Sequence, residues 1–285
     1  MTLTAGAGIF GHAPAGQFNI EIPIERLLLL EPYPRRMRAT IDGEAMVDSH
    51  RGMLLYESGV LPRLYFPTDE VRMDLLEPAG ERGSELKGRS QLWRLRVGER
   101  EVDEAAISHP EPPPGAPPIA DLICLRWSAI DEWLEEDEVA IAHVRDPYHR
   151  VDVLPTSRRV VVRLGDTVLA DSARGRVLYE TGLPPRWYVP RDDVLLELEP
   201  SELHTQCAYK GSANYWSLDA DGDRRENLAW TYRDPRHDAA EVRDLVAFFN
   251  EQVEIEVDGE LQPQVVSPWS APDWWKRFDA VVAEL

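Results

Sequence analysis

Slid by 123 positions, the chain lands on itself. Asp48-Ser49 falls on Asp171-Ser172, Arg51-Gly52 on Arg174-Gly175, and Leu55-Tyr56-Glu57 on Leu178-Tyr179-Glu180. Gly59, Pro62, Arg63, Tyr65, Pro67, Asp69 and Val71 meet Gly182, Pro185, Arg186, Tyr188, Pro190, Asp192 and Val194. From 48 to 71, 14 of 24 positions are identical. After a one-residue slip at Glu77-Pro78 on Glu199-Pro200, register returns at Lys87-Gly88 on Lys210-Gly211 and at Trp93 on Trp216. Self-similarity of this strength means one unit built twice. A chain of 285 residues has room for two such units, each with its own core.

Each copy reads as mainly β. Met37–Ile41 and Glu44–Asp48 flank Asp42-Gly43, and 160–164 and 167–170 flank Gly165-Asp166, which are two-residue hairpin signals. Short β-prone runs follow in the second copy at 177–180, 187–189, 194–199, 213–218 and 228–232. Val242, Leu245, Val246 and Phe249 fall at helical spacing, which predicts a helix over Ala239–Asn250 before a closing strand at 253–257. By analogy the first copy predicts a helix over 129–138 and a strand over 139–144. The expected fold class is therefore mainly β with a few short helices, an α+β chain of two tandem compact antiparallel modules. The expected boundaries are an N-terminal extension at 1–35, a first module at 36–145, a linker at 146–158, a second module at 159–260 and a C-terminal helical extension at 261–285. Trp274, Phe278 and Val281-Val282 would dock that last helix. Matching Trp93–Trp127 to Trp216–Trp230 leaves extra residues in the first copy. Their run of prolines from Pro110 to Pro118 predicts an exposed Pro-rich insertion at about 108–119.

Charge narrows the partners. A formal charge of −20 repels a phosphate backbone, and the arginines form no basic run, so nucleic acid is not expected. The longest apolar run, Leu27–Leu30, is far short of the ~20 residues a membrane helix needs. The N-terminus lacks a basic region and a long apolar core, so no signal peptide is expected. Cys124 and Cys207 form neither a metal-type pair nor a disulfide framework, and a cytoplasmic setting is expected. There is no Gly-rich phosphate loop, G-x-S-x-G, H-E-x-x-H or C-x-x-C, and no cofactor and no metal are expected.

The second copy carries an unusual polar and aromatic cluster: His204-Thr205-Gln206-Cys207-Ala208-Tyr209-Lys210-Gly211, then Asn214-Tyr215-Trp216. Only three of the chain's 31 basic residues are lysine, and two of them, Lys87 and Lys210, occupy equivalent positions before a glycine. Lysine is a compact donor whose charge shifts readily on burial. Lys210 and Cys207 are the candidate catalytic residues, as general acid/base or nucleophile. Tyr188, Arg186, Tyr209, Tyr215, Trp230 and Tyr232 are the candidate ligand-binding residues, because such side chains make apolar walls with single polar atoms. In the first copy Cys207 is matched by Ser84, Tyr209 by Leu86, Asn214 by Gln91 and Tyr215 by Leu92. The first copy is therefore expected to be structural, or to bind something different.

The succession Ala170-Asp171-Ser172, Tyr179-Glu180-Thr181-Gly182-Leu183-Pro184, Tyr188-x-Pro190-Arg191, Cys207-Ala208-Tyr209-Lys210-Gly211 and Ala229-Trp230-x-Tyr232 resembles the family named domain of unknown function 427. The resemblance covers nearly all of 159–259 and, more weakly, 36–145, as in a two-copy member. Ala208 stands where the family usually has proline. The resemblance implies a β-tent-like module of two antiparallel sheets and carries no settled activity. Many β-tent proteins hold zinc through paired cysteines, which this chain lacks. Three functions stay open: a small-molecule-binding module for an anionic or carbonyl-containing ligand, an enzyme using Lys210 or Cys207, and a non-catalytic scaffold.

Overall fold

In the computed structural model, residues 3–4, 8–11, 16–220, 222–267, 270 and 274 are described. The chain divides into two units, with the boundary between Tyr148 and His149. In the first unit the strands are β1 (Leu28–Tyr33), β2 (Met37–Ile41), β3 (Glu44–Ser49), β4 (Gly52–Glu57), β5 (Arg63–Pro67), β6 (Leu76–Ser84), β7 (Gly88–Val97), β8 (Arg100–Glu111), β9 (Leu122–Leu125), β10 (Glu132–Glu135) and β11 (Glu138–Ala140). In the second they are β12 (Val151–Pro155), β13 (Val160–Leu164), β14 (Thr167–Ser172), β15 (Arg176–Glu180), β16 (Arg186–Val189), β17 (Glu199–Cys207), β18 (Gly211–Ala220), β19 (Asp223–Thr231), β20 (Val246–Phe248), β21 (Glu254–Val257) and β22 (Glu260–Leu261).

Among the described residues each unit holds two sheets. The first has a seven-stranded sheet ordered β1-β4-β5-β9-β8-β7-β6 and a four-stranded sheet ordered β11-β10-β2-β3. The second repeats this as β12-β15-β16-β20-β19-β18-β17 and β14-β13-β21-β22. The named strand pairs are antiparallel, and the helical pieces are short 3-10 turns. The duplicated, mainly β architecture agrees with the sequence. The hairpins around Asp42-Gly43 and Gly165-Asp166 form as β2–β3 and β13–β14, with Asp42, Gly43 and Gly165 at positive φ as such turns require. Apolar core clusters occupy each module, built in the first around Tyr33, Met37, Phe66 and Trp133 and in the second around Val160, Trp187, Leu218 and Phe248.

Several expectations are corrected. Ala239–Asn250 is not a helix: a 3-10 turn covers His237–Val242 and β20 follows. Val246, Ala247 and Phe248 are all buried in a strand flanked by β16 and β19, and a short strand covered on both faces has no alternation to distinguish it from helical spacing. The expected helix at 129–138 is likewise a 3-10 turn at Trp127–Ala129 followed by β10, with β11 beginning at Glu138.

The Pro-rich stretch is no insertion. Tyr65 pairs with Cys124 as Tyr188 pairs with Ala247, and Trp93 pairs with Ala106 as Trp216 pairs with Ala229, so the 123-residue offset holds throughout this region. Trp230 is therefore matched by Ile107, not by Trp127. The prolines replace the segment from Arg233 to Glu241, and Ile119 beside them is fully buried. Residues read as extension and linker supply β1 and β12, which pair with β4 and β15. Of the expected C-terminal helix, Trp274 is described and buried; Phe278 and Val281-Val282 lie outside the described residues. Among the described residues no helix is long and apolar enough to cross a membrane.

Candidate functional site

Lys210 sits in the turn between β17 and β18, where Cys207 faces Gly211. Gly211 has φ +96°, and a Cβ there would lie 3.2 Å from the Asp234 carbonyl oxygen. Gly88, its counterpart, has φ +76° and would place a Cβ 2.4 Å from the Glu111 carbonyl oxygen. This turn geometry explains why both lysines precede a glycine.

From that turn the Lys210 Nζ donates to Glu180, at the end of β15. Lys87 does the same to Glu57. The shared lysine therefore belongs to a shared ion pair. In the second module the pair is more deeply set: the Glu180 side chain is 5% exposed against 22% for Glu57. Glu180 also takes His149, whose Nε2 lies 3.1 Å from Oε1 and whose side chain is fully buried. Tyr209 stacks on that imidazole with ring centroids 3.8 Å apart. His149 aligns with Arg26 and Tyr209 with Leu86, so this second layer is absent from the first module.

The charges reinforce one another. Burial alone would lower the Lys210 pKa, yet Cys207, Glu180 and Tyr188 together hold it above the ordinary lysine value. Burial alone would raise Glu180, yet Lys210 and His149 hold it well below the carboxylate range. Both groups are charged at neutral pH, and Lys210 keeps its proton.

The aromatic candidates lie in packed core. Tyr188 is 1% exposed, Tyr209 4%, Tyr232 5%, Tyr215 and Arg186 6%, and Trp230 7%. Tyr188, Tyr215, Trp230 and Tyr232 share one cluster with Leu178, Phe249 and Trp274. Trp230 Nε1 donates to the Tyr188 hydroxyl at 2.9 Å, and the Tyr215 hydroxyl bonds Thr205 Oγ1 at 2.7 Å. Burial pushes the Tyr215 hydroxyl up to about 12, against the pull of Thr205 and Lys210. Arg186 is committed elsewhere: it makes a two-armed, buried pair with Glu251, both bonds 2.7 Å, and lies 5.6 Å from the centroid of the Trp230 ring. Cys207 is half-buried and within electrostatic reach of Lys210, Tyr215 and Tyr232. A cavity of about 270 Å³ on this module is lined by Arg163, Asn250, Glu254 and their neighbours and by none of the candidate residues.

The first module has its own polar centre, which the sequence reading missed. His109, aligned with Tyr232, bonds the Tyr65 hydroxyl through Nε2 at 3.0 Å and Ser90 Oγ through Nδ1 at 2.8 Å. All three side chains belong to buried residues. Burial, then Lys87 and Arg63, lower the His109 pKa to about 4, so its ring is neutral. Cys124 on the next strand has a thiol pushed up to about 11 by burial. The signal that was available is the repeat itself: Glu57 and Glu180 recur with the lysines, and the unbroken offset puts His109 opposite Tyr232.

A family model described as domain of unknown function (DUF427) matches residues 29–136 and, a second time, residues 152–259. No curated protein matches the chain.

Proposed function

Because the chain belongs to the family described as domain of unknown function (DUF427), in two copies, and that description names no activity, we propose a function from geometry alone: the second module binds a small molecule with an anionic or carbonyl group. One observation carries the reading. Beyond the Lys–Glu pair common to both modules, the second adds a buried histidine, a stacked tyrosine and a half-buried thiol around Lys210. Buried charge is unfavourable unless fully partnered, so an elaboration that the sister fold does without is a candidate for function. A lysine that keeps its proton is an anchor for an anion or a carbonyl oxygen rather than a nucleophile. Covalent chemistry at this end of the sheet falls to Cys207, which a reducing cytoplasmic setting keeps as a thiol.

A second reading is a scaffold, favoured by the low exposure of the aromatic cluster and by the recurrence of the Lys–Glu pair. A thermal-shift titration with small carboxylates and aldehydes separates the two. The binding reading expects a saturable stabilisation of the full chain that Cys207→Ser with Tyr209→Leu weakens at least tenfold in apparent affinity. These substitutions install the first module's residues, Ser84 and Leu86. No stabilisation by any compound, or an undiminished one in the variant, favours the scaffold.

A further inference from the structure

Elsewhere on the second module a cavity of about 370 Å³ is lined by three arginines, Arg174, Arg176 and Arg243, with Leu245 as an apolar wall. The acid among its lining residues is Glu241. We propose that this cavity is a binding site for a small polyvalent oxyanion, of the kind carried by a phosphorylated or polycarboxylate metabolite.

Arg174 and Arg176 lie two residues apart, and the fold brings the remote Arg243 to them. Arg176 opens β15, Arg174 lies in the bend before it, and Arg243 follows the 3-10 turn at His237–Val242. Each is held by one carboxylate, Arg174 by Asp193, Arg176 by Glu241 and Arg243 by Asp234, and all three line one space. In a chain of net charge −20 such a gathering runs against the average.

Each guanidinium has five donors, and the ion pairs do not use them all. Arg174 binds Asp193 through Nε and Nη2, leaving Nη1. Arg243 binds Asp234 and the Arg233 carbonyl through Nη1, leaving Nε and Nη2. Asp193 and Asp234 do not line the cavity, so its wall carries three positive groups against one negative. Glu241 reaches Arg176 at 2.9 Å but is 63% exposed, so it holds weakly and can swing away to admit a stronger anion. The planar fork of arginine matches phosphate and carboxylate oxygens two at a time.

Size and field limit the ligand. The volume lies near the lower end of the ~300–1,000 Å³ typical of small-molecule pockets. A larger polyanion would bring charge within the screening length of about 8 Å of the surrounding acidic surface and be repelled, which leaves a small one. The site is not a by-product of the fold either. At the positions of Arg176 and Arg243 the first module has Met53 and Ala120.

The test is calorimetric titration of the full chain with pyrophosphate and, separately, with citrate. Binding of either at low salt supports the site and identifies phosphate or carboxylate as the preferred source. Affinity is expected to weaken as salt rises. Arg176→Met with Arg243→Ala, which copies the first module, should lower affinity at least tenfold. Glu241→Gln should raise it several-fold. The Cys207→Ser and Tyr209→Leu changes should leave it unaltered, which separates this site from the Lys210 centre. If neither anion binds, or if the double arginine variant binds as the wild type does, the proposal is overturned.

Discussion

Around Tyr65 in the first module and Tyr188 in the second, one sheet position is finished in two ways. Tyr65 joins a buried chain through His109 to Ser90; Tyr188 accepts from Trp230 inside an aromatic cluster. Beside both stands the same Lys–Glu pair, open enough in the first module to leave Glu57 22% exposed, and closed in the second over Glu180 by His149 and Tyr209. The pair ties a hairpin turn at one edge of the seven-stranded sheet to the end of a strand separated from it by three others in the sheet order, and this tie is what the duplication kept. The polar atoms around it were free to diverge because they hang on strands whose backbone pairing holds the register without them.

The largest break in this comparison comes from removing a lysine. Lys210→Met leaves Glu180 charged and enclosed, and breaking a buried pair from one side costs about 3–5 kcal/mol. Lys87→Met should cost roughly half as much, because water reaches Glu57 more easily. Urea unfolding of the two full-length variants measures the gap. Equal losses would show that His149 and Tyr209 add nothing to the enclosure of the second pair.

Acid separates the modules next. The folded His109 value of about 4 lies below the ~6.5 of an unfolded histidine, so the unfolded chain takes up the proton first. The stability this group contributes is full above ~6.5 and is lost as pH falls toward about 4, by up to about 3 kcal/mol. The depressed Glu180 also contributes stability that is lost on acidification, but only as pH falls below ~4.5, the unfolded carboxylate value, and onward through its lower folded value. Between pH 6.5 and 4.5, then, His109 should give the first module a loss of stability to which Glu180 adds nothing. His109→Gln should flatten the pH dependence of unfolding in that window; an unchanged slope would sink the assignment.

How far these differences could be read from sequence depended on what the repeat was asked. Identity at an offset of 123 gave the two modules, their hairpins and the paired lysines. It failed where a rare residue was trusted over register: aligning Trp230 with Trp127 invented an insertion and hid His109 in a supposed loop, though the residue sits inside β8. The helix expected over Ala239–Asn250 failed for another reason. Val242, Leu245, Val246 and Phe249 satisfy helical spacing, and a strand only three residues long, buried on both faces, leaves no period of two to oppose it. The partner of Lys210 was out of reach of any spacing rule, since Glu180 is thirty residues away and meets it only once the sheet forms. Tyr188, Tyr215, Trp230 and Tyr232 share one buried cluster, but composition does not tell a cage from a core.

A smaller contrast lies in the two glycines. Both need positive φ, which an alanine adopts at a cost of about 1–2 kcal/mol. Gly211→Ala should lose about that much, its added Cβ meeting the Asp234 oxygen at a tight but tolerable distance. Gly88→Ala should lose more, because the Glu111 carbonyl stands where the Cβ must go and backbone has to shift. Thermal unfolding of the pair ranks them, and the reverse order would mean that the β8 end yields more readily than its contacts imply.

The smallest effect on stability, and the sharpest on chemistry, belongs to the cysteines. They stand at unrelated positions, Cys124 on a central strand and Cys207 at a hairpin end. Cys124 is 6% exposed, and burial raises its thiol to about 11, so almost none of it is thiolate at neutral pH and a reagent cannot approach it. Cys207 is half-buried at a hairpin end, so a reagent can reach it. Native protein treated with iodoacetamide should therefore carry one label, at Cys207, by peptide mass spectrometry, with the melting temperature of Cys207→Ser within about 2 °C of wild type. Labelling at Cys124 at a comparable rate would mean that the first module opens locally around Tyr65, and the two centres would then differ less than their burial indicates.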